Sequence, residues 1–393
     1  MRDRPAGRIG SLDGLRGVAA AVVLIHHSLL TIPSFANGNL HLPVPESRSW
    51  LVYTPLHVFW AGGEAVFVFF VLSGFVLTLP ALRRTQDWIA YFPARLVRLY
   101  VPVVASVLVA LVLFLVVPRT GDPGESAWVA RHADTLSLHG LVGDLTLLSP
   151  TRMNSPLWSL TWEVAFSLLL PLFVSIAAVT RRHWWITALV AALLSTAGHP
   201  LRLQWLTYLS MFLVGSAVAA GWERIPQVRR LVGWVLLVAS VLGLTCGWWY
   251  PRDAPGAVFG STVILLSAAV LVVLAGKWLP AERVLLGSVP RTLGRISFSL
   301  YLVHEPIAVS IAELVPDAHP WITPLLTIPL ALVAAVFFAR FVELPAHRLA
   351  KQVSRRLSGD PSAARGRRAA GPAGATGATG ATGGHRAPTP TDP

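Results

Sequence analysis

The sequence is short of charge and nearly free of cysteine. Of its 393 residues only 13% are Asp, Glu, Lys or Arg, about half the usual share in a soluble chain. The single cysteine, Cys246, excludes an intrachain disulfide framework and a cysteine-rich metal site. No Gly-x-Ser-x-Gly occurs and no convincing Ser/His/Asp order, which argues against a serine hydrolase. No long internal repeat and no second globular domain is visible. No small-residue cleavage site follows the first apolar run, so an uncleaved first helix is expected.

What fills the space left by charge is apolar: 54% of the chain is hydrophobic. Runs of roughly 20 apolar residues follow one another, each long enough to span a bilayer. The expected fold is an all-α polytopic integral membrane protein. Ten spans are read at about 12–32, 60–80, 100–118, 156–180, 184–198, 204–222, 231–250, 257–276, 295–314 and 320–343. The stretch 138–149 reads as a loop or as a re-entrant or interfacial helix. With the N-terminus inside, 26 of the 32 Lys and Arg residues fall on the cytoplasmic side. That asymmetry predicts both termini in the cytoplasm of a multi-pass cell-membrane protein, with a bacterial cytoplasmic membrane the natural setting. The net charge of +13 is then mostly topological and calls for no nucleic acid. Residues 1–350 read as one transmembrane domain. Residues 351–393, which include GPAGATGATGATGG, read as a basic, low-complexity, disordered cytoplasmic tail.

Ionisable residues inside apolar spans are costly and are functional candidates by default. Span one carries Arg16 and His27, eleven residues apart. Eleven residues make about three turns, so both side chains share one face, roughly 16 Å apart along the axis. His26 points about 100° away. Span four carries Glu163, at an expected depth close to that of His27, with Ser159 one turn before it. A carboxylate beside a histidine makes a base and its orienter. Arg95 and Arg98 are expected at the cytosolic mouth of span three, one turn apart, where an anionic group such as phosphate would be held. Ser73-Gly74 in span two reads first as close helix packing. Span nine holds Tyr301, His304 and Glu305 near its middle. Span ten ends with Glu343, expected at the cytosolic surface before Pro345. No metal site is expected. Two other classes stay open on these residues: a proton-coupled transporter of a small solute, and a membrane protein whose polar residues only join helices.

The stretches LDGLRGVAAAVVLIHH, FFVLSGFVL, ARLVRLYVP, SPLWSLTWEVAFSLLLPL, LGRISFSLYLVH and FVELP occur in this order over about residues 11 to 350. Together they resemble the membrane acyltransferase-3 family, integral-membrane O-acyltransferases of surface sugars and some macrolides. The family's arginine–ten residues–histidine motif falls on Arg16 and His27, and its arginine-x-x-arginine motif on Arg95 and Arg98. Its tryptophan-serine-leucine segment with a following glutamate falls on Trp158, Ser159 and Glu163. Many members carry an acid where this chain has Phe67, with Glu64 three residues earlier.

The resemblance implies acyl-CoA, in the first instance acetyl-CoA, as a cytoplasmic donor substrate with no permanently bound cofactor. It implies a carbohydrate or macrolide hydroxyl as acceptor. His27 would be the general base with Glu163 and Arg16 as catalytic partners, and Arg95 and Arg98 would hold the donor. Ser73, Trp158, Ser159, Tyr301 and His304 would line or support the site. No hydrolase-like domain follows span ten, so the membrane domain would act alone or with a separate extracytoplasmic partner.

Overall fold

The computed structural model describes residues 9–122, 124–133, 136–251, 253–315 and 319–358. Among these there are helices and no strand. Ten long helices follow one another: α1 Gly10–Leu30, α2 Gly62–Arg83, α3 Trp88–Val116, α4 Leu157–Val179 and α5 Trp184–Gly198, then α6 Gln204–Gly221, α7 Arg230–Leu244, α8 Gly260–Lys277, α9 Ser288–Leu314 and α10 Ile322–Phe338. A last helix, α11 Leu344–Leu357, follows α10 through a π turn over Ala339–Glu343. It carries helix seven residues into the expected tail. Residues 359–393, the rest of that tail, lie outside the described residues.

Among the described residues six stretches are long and apolar enough to cross a membrane: α1, α2, α3, α4, Ala257–Lys277 around α8, and Ile322–Leu357 through α10 and α11. This fits a multi-pass membrane protein but does not reach the ten expected spans. Four helices, α5, α6, α7 and α9, make up the shortfall, and for three of them the physical cause is plain. α5 and α7 have 15 residues each, about 22 Å of helix against a hydrocarbon core of about 30 Å. α9 has 27 residues, but its serines, Tyr301, His304 and Glu305 dilute the apolar run. Residues 138–149 form a nine-residue helix, Leu138–Thr146, capped by the Ser137 hydroxyl. The start of α3 also differs from the sequence reading. Asp87 caps it by accepting from the Ala90 amide, so the helix begins twelve residues before the expected span. Arg95 and Arg98 therefore sit within the helix, past its first turn.

Helix α1 is the hinge of the packing. Leu12, Leu15, Ala19 and Val23 face a core shared with α2, α4, α6 and α8. Ala20 and Leu24 face a second core with α3, α9 and α10. Against α9 the backbones come close, because Gly17 lies on the backbone of Pro290, Leu293 and Gly294, and Gly294 lies on the Asp13 carbonyl. A methyl at either position would collide with backbone atoms. The two helices run parallel and in equal register: Gly17 to His27 and Gly294 to His304 are both ten residues. The side on which α1 begins is termed the near side, and the opposite one the far side.

The far side is closed by a cap of Leu30, Ile32, Phe35, Trp60, Trp128, Ala308 and Val309. Next to it His57 is fully buried. Its Nδ1–H donates to the Val52 carbonyl at 3.0 Å, and its ring stacks on Trp248 at 3.8 Å. Burial pushes its pKa down from 6.5 to about 3.

Two outcomes are expected from this packing. Gly17→Ala inserts a methyl between backbones and should cost about 1–3 kcal/mol, read as a lower thermal unfolding midpoint in detergent. Gly247→Ala, whose added methyl meets nothing within 4 Å, should leave the midpoint in place. For His57, the unfolded chain takes a proton below about pH 6.5 while the folded chain stays neutral down to about pH 3. The unfolded state thus binds more protons in that window, so stability is whole above 6.5 and falls as the pH drops below it. Chemical denaturation of His57→Phe between pH 7 and pH 5 should show a shallower loss than the parent protein. The slopes should differ by at most about 1.4 kcal/mol per pH unit.

Candidate active site

The equal register of α1 and α9 brings two histidines together. His27 Nδ1 and His304 Nε2 are 2.9 Å apart. His304 Nδ1 lies 2.9 Å from the Leu300 carbonyl. A carbonyl only accepts, so His304 carries its proton on Nδ1 and its Nε2 is an acceptor. His27 must then donate from Nδ1, which leaves its Nε2 unprotonated. That is the state a general base needs. His26 is committed elsewhere. It donates from Nδ1 to the Trp60 carbonyl at 2.8 Å and stacks on Trp60 at 5.8 Å. On the far side of His27 the Trp128 indole stacks over the imidazole, 5.5 Å between centroids and 29° between planes.

Toward the near side polar groups descend in tiers. One turn below His304, the Tyr301 hydroxyl meets Ser159 Oγ at 2.7 Å. Ser159 in turn donates to the Pro156 carbonyl, so Tyr301 is the donor of the pair. Below them, Arg95 forms an ion pair with Glu163, and its Nε–H donates to Ser167 Oγ at 3.1 Å. The side chains of this pair are 10% and 13% exposed, so the two charges are nearly sealed and neutralise each other. Lower still, Arg98 Nε–H donates to His347 Nε2 at 3.1 Å. His347 lies 3.7 Å from Glu343, which accepts from Ser299 Oγ at 2.5 Å. Arg16 and Arg98 both lie within electrostatic range of Glu343, and Arg16 pairs with Asp13 at 3.1 Å.

Several residues are placed differently from the sequence reading. Glu163 turns to Arg95, not to His27; the partner of His27 is His304. Glu343 is buried, 8% exposed, rather than at the surface, because the π turn folds it back under Ser299. Trp158 packs on Tyr208 at 5.0 Å and on Phe70, beside the column of polar groups. Ser73 enters none of these networks, whereas its neighbour Gly74 lies directly on the Phe212 carbonyl of α6. The reading of close packing at this pair suits what Gly74 does.

Sequence reasoning missed His347, His132, Asn154 and Ser155. His347 carried a usable signal, standing four residues after Glu343 on one helical face. The other three sit in turns, where no periodicity marks them. His132 Nε2 lies 2.7 Å from Glu305 Oε1, and Ser155 donates to both oxygens of the same carboxylate. His27, His304 and Glu305 offer donor atoms within 4.8 Å of one another, a spacing that would admit a metal ion. Those atoms are already engaged: the facing histidine nitrogens share a proton at 2.9 Å, and Glu305 is bonded by His132 and Ser155. The group stands as two adjacent hydrogen-bonded pairs, His27 with His304 and Glu305 with His132.

Comparison with known proteins follows the same residues. The family described as "Acyltransferase domain" matches residues 9–342. The acyltransferase MdmB of Streptomyces mycarofaciens is 30% identical over 280 residues, 67% of this chain and 63% of the relative. The match thus spans just under two thirds of that relative's length. The O-acetyltransferase PaAT-1 of Phomopsis amygdali is 24% identical over 357 residues, covering 75% of this chain and 71% of its own. Nodulation protein 10 of Rhizobium leguminosarum bv. viciae is 25% identical over 382 residues, covering 91% of this chain and 98% of its own. No solved structure matches. The family match begins just before α1 and ends within the π turn, one residue short of Glu343, taking in His27, His304 and the tiers down to Arg98, and on that extent the chain belongs to the acyltransferase-3 family.

Proposed function

We propose that the chain is a multi-pass membrane O-acyltransferase. It moves an acyl group, acetyl in the first instance, from acyl-CoA to a hydroxyl of a sugar, a glycosylated metabolite or a macrolide. The observation that carries this reading is the unprotonated Nε2 of His27 at the head of a column of polar side chains. The names of the relatives, an acyltransferase and an O-acetyltransferase, support the reaction class.

The near side is the cytoplasmic side in this reading, as the distribution of Arg and Lys favours. The donor's phosphates rest at the lowest tier. Arg98 spends only Nε on His347, so its two terminal nitrogens can engage an anion, and Arg16 adds charge nearby. Arg95 is neutralised by Glu163 and forms the wall of the column rather than an anion site. From Arg16 the thioester has roughly 16 Å to climb to His27, a distance an extended pantetheine arm covers. His27 Nε2 takes the proton of the acceptor hydroxyl as its oxygen attacks the thioester carbonyl. The carbon–sulfur bond then breaks, and His27 returns the proton to the leaving thiolate. The products are an ester and free coenzyme A, with no net proton released. While His27 is charged, its Nδ1–H bond to His304 spreads the positive charge.

The adjacent His27–His304 and Glu305–His132 pairs also suit proton transfer, which favours a proton-coupled carrier as the second reading. Counterflow of a solute in proteoliposomes without acyl-CoA would support that carrier.

Two outcomes are expected. Membranes given labelled acetyl-CoA should yield a labelled product by mass spectrometry, and His27→Ala should lower its formation by 10² to 10⁴ with membrane insertion intact. Normal labelling by that variant would remove the base from the proposal. Arg98→Ala should raise the KM for acetyl-CoA about tenfold, the loss of about 1.4 kcal/mol of anion binding, while Arg98→Lys, which keeps the charge, should raise it less. An unchanged KM would move the phosphates away from this tier.

A further inference from the structure

The segment 126–132 between α3 and α4 enters the bundle from the far side. Ser126 Oγ–H donates to the Leu30 carbonyl at the end of α1 at 2.7 Å. The Val129 amide donates back to the same hydroxyl. These bonds fix Trp128 on the face of His27. The segment ends on His132, which is 6% exposed. A buried histidine in a connecting segment is unfavourable unless both ring nitrogens are satisfied. Here both are. Nδ1–H donates to the Trp128 carbonyl at 2.8 Å, and Nε2 meets Glu305 Oε1 at 2.7 Å. The Trp128 carbonyl takes the Nδ1 proton, so the short contact on Nε2 must hold a second proton between the ring and the carboxylate.

Glu305 is fixed from its other sides as well. The Ser155 amide donates to Oε1 at 3.2 Å and Ser155 Oγ–H to Oε2 at 2.8 Å. The next residue, Pro306, has no N–H, so the Leu302 carbonyl one turn before it lacks its helical donor. Asn154 Nδ2 supplies that donor at 3.0 Å. The turn carrying Asn154 and Ser155 is thus seated on the proline break and holds Glu305 in place. The carboxylate does not touch His27. It lies beside His304 and acts on it electrostatically, with its oxygens within 4.8 Å of the histidine nitrogens.

We infer that His132 and Glu305 are positioning residues for acyl transfer: the pair pins Trp128 on the His27 ring and turns the carboxylate end of a neutral, proton-sharing pair toward the His27–His304 couple. The inference rests on the reading of His27 as the base. The carboxylate end of the pair favours the couple when it holds the hydroxyl proton, and the pin keeps Nε2 aimed at the reacting oxygen. Both effects act in the transition state more than on the bound donor.

The test uses the full chain in membranes with radiolabelled acetyl-CoA as donor and a glycan and metabolite extract of the producing cells as acceptor. Glu305→Gln keeps the size of the side chain but has no carboxylate to share the proton with His132. It should lower kcat at least tenfold, with the KM for acetyl-CoA within twofold of the parent. His132→Leu should do the same. His132→Gln, whose amide can still donate to Glu305 from the place of Nε2, should recover activity to within threefold. A parental kcat in Glu305→Gln, or equal loss in His132→Gln and His132→Leu, would overturn the inference. If His132→Leu fails to fold, Glu305→Gln and His132→Gln carry the test. His27→Ala is run alongside: activity there means that the base is misassigned. An inactive His27→Ala beside a fully active Glu305→Gln means that the positioning pair alone is wrong.

Discussion

The contact on which everything else depends is a glycine crossing. Where Gly17 meets Gly294, α1 and α9 touch backbone to backbone, and ten residues further on each helix carries a histidine. Two parallel helices of equal pitch keep the offset set at their crossing. The crossing therefore works as the gauge for the site: it decides that His27 meets His304 and not a neighbour one turn away. Leucine-rich faces would hold the helices farther apart, at the usual 8–10 Å or so, and a 2.9 Å hydrogen bond would then be out of reach.

The apolar setting explains why the polar groups come in pairs. In a bundle largely deprived of water, each unpaired polar atom is heavily penalised. Tyr301 finds Ser159, Arg95 finds Glu163 and Ser167, Arg98 finds His347, and Glu343 finds Ser299. These pairs form a continuous polar column between α1, α3, α4 and α9, flanked by the two apolar cores. His27 Nε2, left without a proton by the bond to His304, stands at the head of that column, where the proposed reaction would deliver the substrate proton.

Much of this was legible in the sequence and some was not, for reasons that differ by residue. Long apolar runs predict helices, and all ten expected spans coincide with helices, though six stretches meet the demands of a membrane. Arg16 and His27 could be placed on one face because both lie on one helix, where spacing fixes geometry. Depth across helices is another matter. Glu163 and His27 seemed to share a level, yet α3 begins a dozen residues earlier than its arginines suggested, and Arg95 thereby reaches Glu163 first. Glu343 looked like a surface residue because Pro345 reads as a stop; proline in the first turn instead suits the start of α11. His132, Asn154 and Ser155 act from turns, and the cue that recruits Asn154 is the missing N–H of Pro306 about 150 residues away in the chain. Single-sequence patterns carry no such information.

The π turn over Ala339–Glu343 has an effect beyond burying a carboxylate. A π turn spends one more residue per hydrogen-bonded loop than an α turn, so it changes the angular phase of all that follows. α11 leaves it rotated relative to a straight continuation of α10. Its small residues Ala346 and Ala350 are buried, while Arg348, Lys351, Arg355 and Arg356 are exposed. One extra residue in the winding thus turns the last helix so that His347 looks into the bundle at Arg98 while its basic neighbours look out. A single-residue deletion within the turn would re-phase that helix by about 100°, and the floor of the polar column would be exchanged for its outer wall.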